Sequence, residues 1–185
     1  DQPRSRGLGD VYKRQLLCWL IGAPAWADDS VIVWPADWDV QILPDASDAQ
    51  GQPSGSRQRA TKTDANGDPL MIVEMTRGAL AQDHAVNLEA VLLEMRKAIQ
   101  INFSRSGYQS VCTKVKSTTL GNLPAAQTTC KVTRNGTLAI TQTLVAAVQP
   151  GMAYGFSYAG SAVGYPQLEA EVMGIRQGLR FAKSE

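Results

Sequence analysis

Apolar and polar residues alternate over several segments of the chain, and this pattern predicts β-strands with one buried face. Two connections carry Asn-Gly, at 66–67 and 135–136, a dipeptide that accepts the positive φ angles of tight hairpin turns. We therefore expect about six strands in a mostly antiparallel sheet. After a strand-like entry, VIVWPADWDVQIL, the predicted strand segments are RQRATKT, PLMIVEM, YQSVCTKVKS, AQTTCKVT, LAITQTLVAAVQ and MAYGFSYAG.

Two of these segments depart from simple alternation in an informative way. LAITQTLVAAVQ is apolar on both alternating sets of positions, which predicts a central strand covered on both faces. In MAYGFSYAG the large side chains alternate with Ala153, Gly155 and Ser157. That face of small residues would permit the close approach of a helix.

Two segments have the apolar spacing of amphipathic helices instead. From Asn87 to Ser106 the apolar residues recur every three or four positions, and Gly107 is suited to follow the helix end. A second stripe runs through YPQLEAEVMGIRQGLRF, with Pro166 near the first turn. Strands followed by a helix, further strands and a final helix predict an α+β domain.

The N-terminal segment predicts export. DQPRSRGLGDVYKRQ resembles translated sequencing-library adaptor, and we expect it to have no function. The apolar run Leu16–Ile21 and the small-x-small sequence ending at Ala27 fit a secretory signal cleaved after Ala27. The alternative is a buried N-terminal helix, which Gly22 and Pro24 would interrupt. The run is too short for a transmembrane anchor, so we expect residues 1–27 to be removed and 28–185 to form one periplasmic domain.

The charge balance and the cysteines bear on which partners and which compartment the protein can have. The chain has 18 Lys and Arg against 17 Asp and Glu residues, and this balance gives no general attraction for nucleic acid. Cys112 and Cys130 remain after the leader, 130 − 112 = 18 positions apart, which favours a disulfide in an exported protein. The alternative is two unpaired buried thiols.

Catalytic and metal-binding patterns are weak. His84 is the single histidine, so any hydrolase triad would have to use it, with Asp83 as its neighbour. Asp64, Asn66 and Asp68 have some similarity to calcium ligands, but their spacing is more typical of a turn. We expect no metal site, no cofactor and no enzymatic activity.

Both ends of the globular part carry recognisable residues. Trp34, Pro35 and Trp38 form an aromatic-Pro-x-x-Trp entry, and the close comprises AYGFSY, Tyr165 and a helix that ends in GLRF. With the hairpin and long helix between them, these features resemble the PsbP and DcrB-like superfamily. More narrowly, the chain resembles exported proteins of Gram-negative bacteria that contain a domain of unknown function. The resemblance implies an α/β/α sandwich with a central mostly antiparallel sheet of about six strands and two main amphipathic helices. It also implies a non-enzymatic accessory or chaperone-like binding role, and it carries over no catalytic residue.

Two surfaces are candidates for binding. Arg57 and Arg59, with Lys114 and Lys116, could form a basic patch if their strands adjoin, although solvated strand edges are the alternative. Six aromatic residues could line a ligand groove, although core packing is the alternative. These residues are Trp34, Trp38, Tyr154, Phe156, Tyr158 and Tyr165.

Three functional hypotheses follow from these features. The first is a periplasmic accessory protein that engages another envelope protein through a sheet edge or groove. The second is a carrier of a small apolar ligand, which requires a cavity of roughly a few hundred Å³. The third is a hydrolase, which requires His84 within hydrogen-bond reach of a hydroxyl group.

Overall fold

A computed structural model describes residues 30–44, 55–81 and 85–182 of the chain. These residues form ten strands and two helices. The elements are β1 (Ser30–Val31), β2 (Asp39–Leu43), β3 (Gly55–Thr63), β4 (Pro69–Ala79), α1 (Leu88–Arg105), β5 (Gln109–Cys112), β6 (Lys116–Leu120), β7 (Leu123–Arg134), β8 (Thr137–Gln149), β9 (Met152–Ser161), α2 (Gly164–Gly178) and β10 (Arg180–Phe181).

Eight strands form one antiparallel sheet in the order β2-β3-β4-β9-β8-β7-β5, and β6 also pairs with β7. The expected number of about six strands was too low. One reason is that YQSVCTKVKS is two strands, because β5 pairs with one half of β7 and β6 pairs with the other half. Between them the backbone N–H of Thr113 donates to the carbonyl of Thr129. The short strands β1 and β10 form a separate antiparallel pair.

The two helices lie on opposite faces of the sheet, which gives the α/β/α arrangement that the resemblance implies. On the central strand β8, Leu144 and Ala146 pack with Leu92 of α1, whereas Val145 and Ala147 join the larger cluster under α2. Because neighbouring residues of a strand point to opposite faces, β8 supplies both cores at once. The prediction of a central strand covered on both sides is therefore confirmed.

Local signals in the sequence place several element ends correctly. The Asn87 side chain accepts a hydrogen bond from the N–H of Ala90 and caps α1, and Gly107 has φ of 78° just beyond the last turn. Between β7 and β8, Asn135 and Gly136 have φ of 51° and 78°, as the hairpin prediction requires. In the β3–β4 turn, the carboxylate of Asp64 accepts hydrogen bonds from two backbone N–H groups of the turn, so it acts as a turn residue.

The second helix ends earlier than the apolar stripe suggests. It ends at Gly178, and Leu179 has an extended backbone with φ of −57° and ψ of 138°. The next two residues form β10 against β1. Leu179 and Phe181 are nevertheless buried in the core beneath α2, so their apolar spacing reports burial and not helix. Neither helix of the described residues is long and apolar enough to span a membrane.

Candidate functional site

A cleft of about 450 Å³ lies between α1 and the sheet, on the face opposite α2. Helix α1 packs over β5, β7 and β8, near one side of the sheet. The strands β4 and β9 therefore border the open space beside the helix. Among the described residues, α1 covers only part of this face, and the sheet continues past the helix.

Small residues form the floor of the cleft in two cross-strand rows. Gly78 pairs with Ala153, which pairs with Val148, and Thr76 pairs with Gly155 in the next row. A Cβ atom on Gly155 would lie 2.5 Å from Oγ1 of Thr76, so the position accommodates only glycine without a shift of that side chain. The small-residue face of β9 therefore lies under an open cleft, whereas the sequence suggested a closely packed helix there.

Apolar side chains from α1 and the segment before it form the wall. Val86, Leu88, Val91 and Met95 line this side of the cleft. Leu92 is fully buried against the sheet and holds the helix in place, whereas Val91 is 39% exposed. The described lining contains no carboxylate, histidine or cysteine, and its polar members are Thr76 and Arg77 among mostly apolar residues. The cleft is thus suited to contact with an apolar group.

Two arginines lie beside the floor on the same face of the sheet. Arg57 pairs with the floor residue Thr76 and Arg59 pairs with Glu74. Both guanidinium groups bind the Glu74 carboxylate, with Arg57 Nη2 3.0 Å from Oε2 and Arg59 Nε 2.6 Å from Oε1. Partial burial raises the pKa of Glu74, but the hydrogen bonds and charges of the arginines outweigh burial and hold that pKa below its usual value. These three side chains together carry one net positive charge, and Asp39 on the same face of the neighbouring strand accepts a hydrogen bond from Gln41, which lies opposite Arg59.

Of the six aromatic residues of the predicted groove, Tyr154 is in the described lining of this cleft and the other five are not. Five of the six are buried in the core between the sheet and α2, and Trp34 packs partly buried against that core. The five buried residues are Trp38, Tyr154, Phe156, Tyr158 and Tyr165. The Trp38 indole N–H donates to Glu171 of α2 at 2.8 Å, which fixes the entry segment to the helix. In this structure the side chains fill the interior, as the core-packing alternative predicts, because alternate residues of β9 point under α2.

The structure does not bring the four residues of the predicted basic patch together. Arg57 and Arg59 are on β3. Lys116 is the first residue of β6 at the other side of the sheet, and Lys114 lies just before that strand. Four strands separate β3 from β6, a distance on the order of 24 Å across a sheet. Sequence spacing predicts which residues share a face of one strand, but it does not predict the order of the strands.

The two cysteines of the described region lie opposite each other on β5 and β7 and form a disulfide. This is the pairing that the sequence predicts. His84 and Asp83 lie outside the described residues, as does most of the polar segment before β3. Within residues 30–44, 55–81 and 85–182, no cluster of three or more His, Cys, Asp or Glu side chains could hold a metal ion.

Arg176 of α2 is a buried charge that the sequence did not single out. Its side chain donates to the Thr119 carbonyl and to Oε1 of Gln127, each at 2.9 Å, and it is only 2% exposed. Burial lowers the pKa of Arg176, while the neighbouring Tyr158 and Tyr165 act in the opposite direction. The guanidinium joins α2 to β6 and β7, so its role is to hold the helix on the sheet.

Solved structures with a similar fold include proteins from three organisms. Cyanobacterial PsbP from Synechocystis sp. PCC 6803 has a TM-score of 0.58 and 8% identity over 83% of this chain and 86% of that protein. LpqN of Mycobacterium tuberculosis, which is involved in cell envelope biogenesis, has a TM-score of 0.55 and 20% identity over 83% of each chain. A protein from Bacteroides thetaiotaomicron has a TM-score of 0.52 and 12% identity over 84% of this chain and 46% of that one. At these identities the similarity shows the fold alone.

Sequence comparison identifies the family but not a relative of known role. Among curated protein sequences, none matches this chain significantly. The family model described as a domain of unknown function, DUF4946, matches residues 29–181, from just before β1 to the end of β10. The chain therefore belongs to the DUF4946 family.

Proposed function

We propose that the protein is an exported, non-enzymatic binding protein of the cell envelope and that the cleft beside α1 holds a small apolar ligand. The observation that carries this proposal is the cleft itself. Its volume of about 450 Å³ lies within the range of small-molecule sites, and its lining is mostly apolar, with Thr76 and Arg77 as polar members. Of the hypotheses drawn from the sequence, the apolar carrier has the most direct support.

Export is supported by three separate features. The leader pattern that ends at Ala27 is typical of secretory signals. The disulfide between Cys112 and Cys130 is of a kind that persists in oxidising compartments. LpqN, which shares the fold, is involved in cell envelope biogenesis. A binding role is supported by a lining in which no described side chain is a carboxylate, histidine or cysteine.

Binding of a neutral fluorescent probe, N-phenyl-1-naphthylamine, tests the cleft directly. We expect the wild-type protein to bind the probe with increased fluorescence. The Val91→Glu variant should weaken binding by about tenfold or more, because the new carboxylate would lose water beside the apolar ligand. Leu93→Glu is a matched control, since Leu93 is 37% exposed on the same helix and lies outside the cleft lining. Failure of the wild type to bind, or equal loss in both variants, would contradict the proposal.

The second candidate is a protein partner that adds a strand to the sheet edge. Among the strands that the structure describes, β2 pairs with β3 alone, and its residues Val40 and Ile42 are 40% and 82% exposed. An exposed apolar edge strand is suited to β-strand addition. An Ile42→Pro variant should then lose a partner that the wild type reproducibly captures from envelope extract, while probe binding in the cleft is retained. Capture that does not depend on this edge would count against the second candidate.

A further inference from the structure

We propose that the cleft ligand is a fatty acid, with its hydrocarbon chain beside α1 and its carboxylate at Arg57 and Arg59. This inference rests on the proposed function, because it names the chemical class of the apolar ligand. It adds a polar anchor that an apolar cleft alone would not require. The observations behind it are the position, the exposure and the charge of the two arginines.

The register of the sheet connects the arginines to the cleft. Arg57 is directly opposite Thr76, and Thr76 is directly opposite Gly155, all on the face that carries α1. Two strand spacings correspond to roughly 10 Å. A ligand that lies on the floor at Gly155 can therefore extend one polar end to the guanidinium of Arg57. The apolar wall lies on the other side of the floor.

The charge of this group favours an anion. Glu74 is shared by both arginines, and one carboxylate leaves the group with an excess positive charge. The side chains of Arg57 and Arg59 are 45% and 37% exposed, so part of each guanidinium faces solvent. A guanidinium group binds a carboxylate through parallel N–H donors, which gives orientation as well as attraction. A neutral apolar ligand would make no use of that charge.

The size of the cleft favours one hydrocarbon chain. A volume of about 450 Å³ is in the lower half of the range for small-molecule sites. Val91 and Met95 line one side of the cleft, and on the other side Arg57 lies one strand beyond the floor residue Thr76, just outside the described lining. A fatty acid combines one chain with one anionic group, and both features match the residues present.

Paired ligands separate the contribution of the head group from that of the chain. We expect dodecanoate, below its aggregation concentration, to displace the neutral probe more strongly than dodecanol does. The Arg57→Gln, Arg59→Gln double variant should bind dodecanoate roughly tenfold more weakly, because each exposed ion pair contributes up to about fivefold in affinity. Its affinity for dodecanol should not change. Glu74→Gln should strengthen dodecanoate binding by a fewfold, because it removes the competing carboxylate.

A remote pair of cations supplies the matched control. Lys114→Gln with Lys116→Gln removes the same amount of charge from the other side of the sheet. This variant should bind dodecanoate as the wild type does. Equal losses in the two double variants would show a general charge effect and would overturn the assignment of the head group. Thermal melts of all variants establish that they are folded.

Chain length and head-group type complete the test. Each added methylene should strengthen binding by roughly fourfold until the cleft is filled. If dodecanol binds but the arginine variants leave dodecanoate binding unchanged, the fatty-acid inference fails and the proposed apolar function stands. If neither ligand displaces the probe, both fail. Preferential binding of a single-chain lysophospholipid would overturn the choice of a free fatty acid.

Discussion

Reduction of the disulfide between Cys112 and Cys130 gives the most direct quantitative test of the fold. The bond closes a loop with a sequence separation of 18 residues, which contains β6 and more than half of β7. In the chain-entropy model, a loop of this size stabilises the native state by about 3 kcal/mol, because it restricts the unfolded chain. The oxidised protein should therefore unfold at a clearly higher denaturant concentration than the reduced protein.

The loss should be largest near α1. Strand β5 is at the edge of the sheet and pairs with β7 through only four residue pairs. The side chains of Gln100 and Arg96 of α1 donate to the carbonyls of Ser110 and Thr113, at 3.1 Å and 3.3 Å. Without the covalent link, we expect faster amide exchange in β5 and in the adjacent turns of α1 than in β4 and β9.

Urea unfolding followed by tryptophan fluorescence measures the effect. The protein is unfolded and refolded with and without reductant, and the free thiols are counted by mass spectrometry after alkylation. With a urea dependence of about 2 kcal/mol per molar, a loss of about 3 kcal/mol lowers the midpoint by about 1.5 M. A Cys112→Ala, Cys130→Ala variant is the control, and reductant should not move its midpoint. Equal midpoints for the oxidised and reduced wild type would refute the reasoning.

Three further predictions concern packing and charge. Gly164→Ala in α2 should lower the free energy of unfolding by roughly 1–3 kcal/mol, because its Cβ would lie 2.1 Å from a backbone oxygen of β4. Gly174→Ala, with open space at the same helix, should raise it by up to about 1 kcal/mol in the same urea assay. Arg176→Met should destabilise by about 1–3 kcal/mol for each buried acceptor left without a donor, and equal stability would contradict its bridging role. Folding lowers the pKa of Glu74, so its ionised carboxylate stabilises the folded protein above about pH 5. This stabilisation is lost as the pH falls through the folded pKa. The wild type and Glu74→Gln should therefore converge in acid, from a difference of less than about 1 kcal/mol.

The sequence predicts the structure best where an element depends on strong local signals. The helix from Asn87 to Ser106 follows from its apolar spacing, its capping side chain and the glycine that succeeds it. The Asn135-Gly136 turn follows from the backbone freedom of its two residues. Both depend on interactions within a few residues, so neighbouring strands do not alter them. The end of α2 shows the limit, because Leu179 and Phe181 continue an apolar stripe after the backbone has become extended.

The residues that were most conspicuous in the sequence are not the ones that form the floor of the candidate site. Aromatic residues of β9 suggested a groove, yet they fill the core because their face of the strand lies under α2. The alternate residues of the same strand are small, and the open cleft lies above them. Small residues attract little attention in a sequence, since the space beside them depends on elements far away in the chain.

The sequence by itself determined the helices and most of the strands, favoured the disulfide pairing and indicated the burial of both faces of β8. Only the tertiary structure decided the order of the strands, and with it the separation of Arg57 from Lys116 and the cleft beside α1. The physical reason is one of range. Hydrophobic periodicity and turn stereochemistry act between residues close in the chain, whereas a cleft is the space left by elements that meet from distant parts of it.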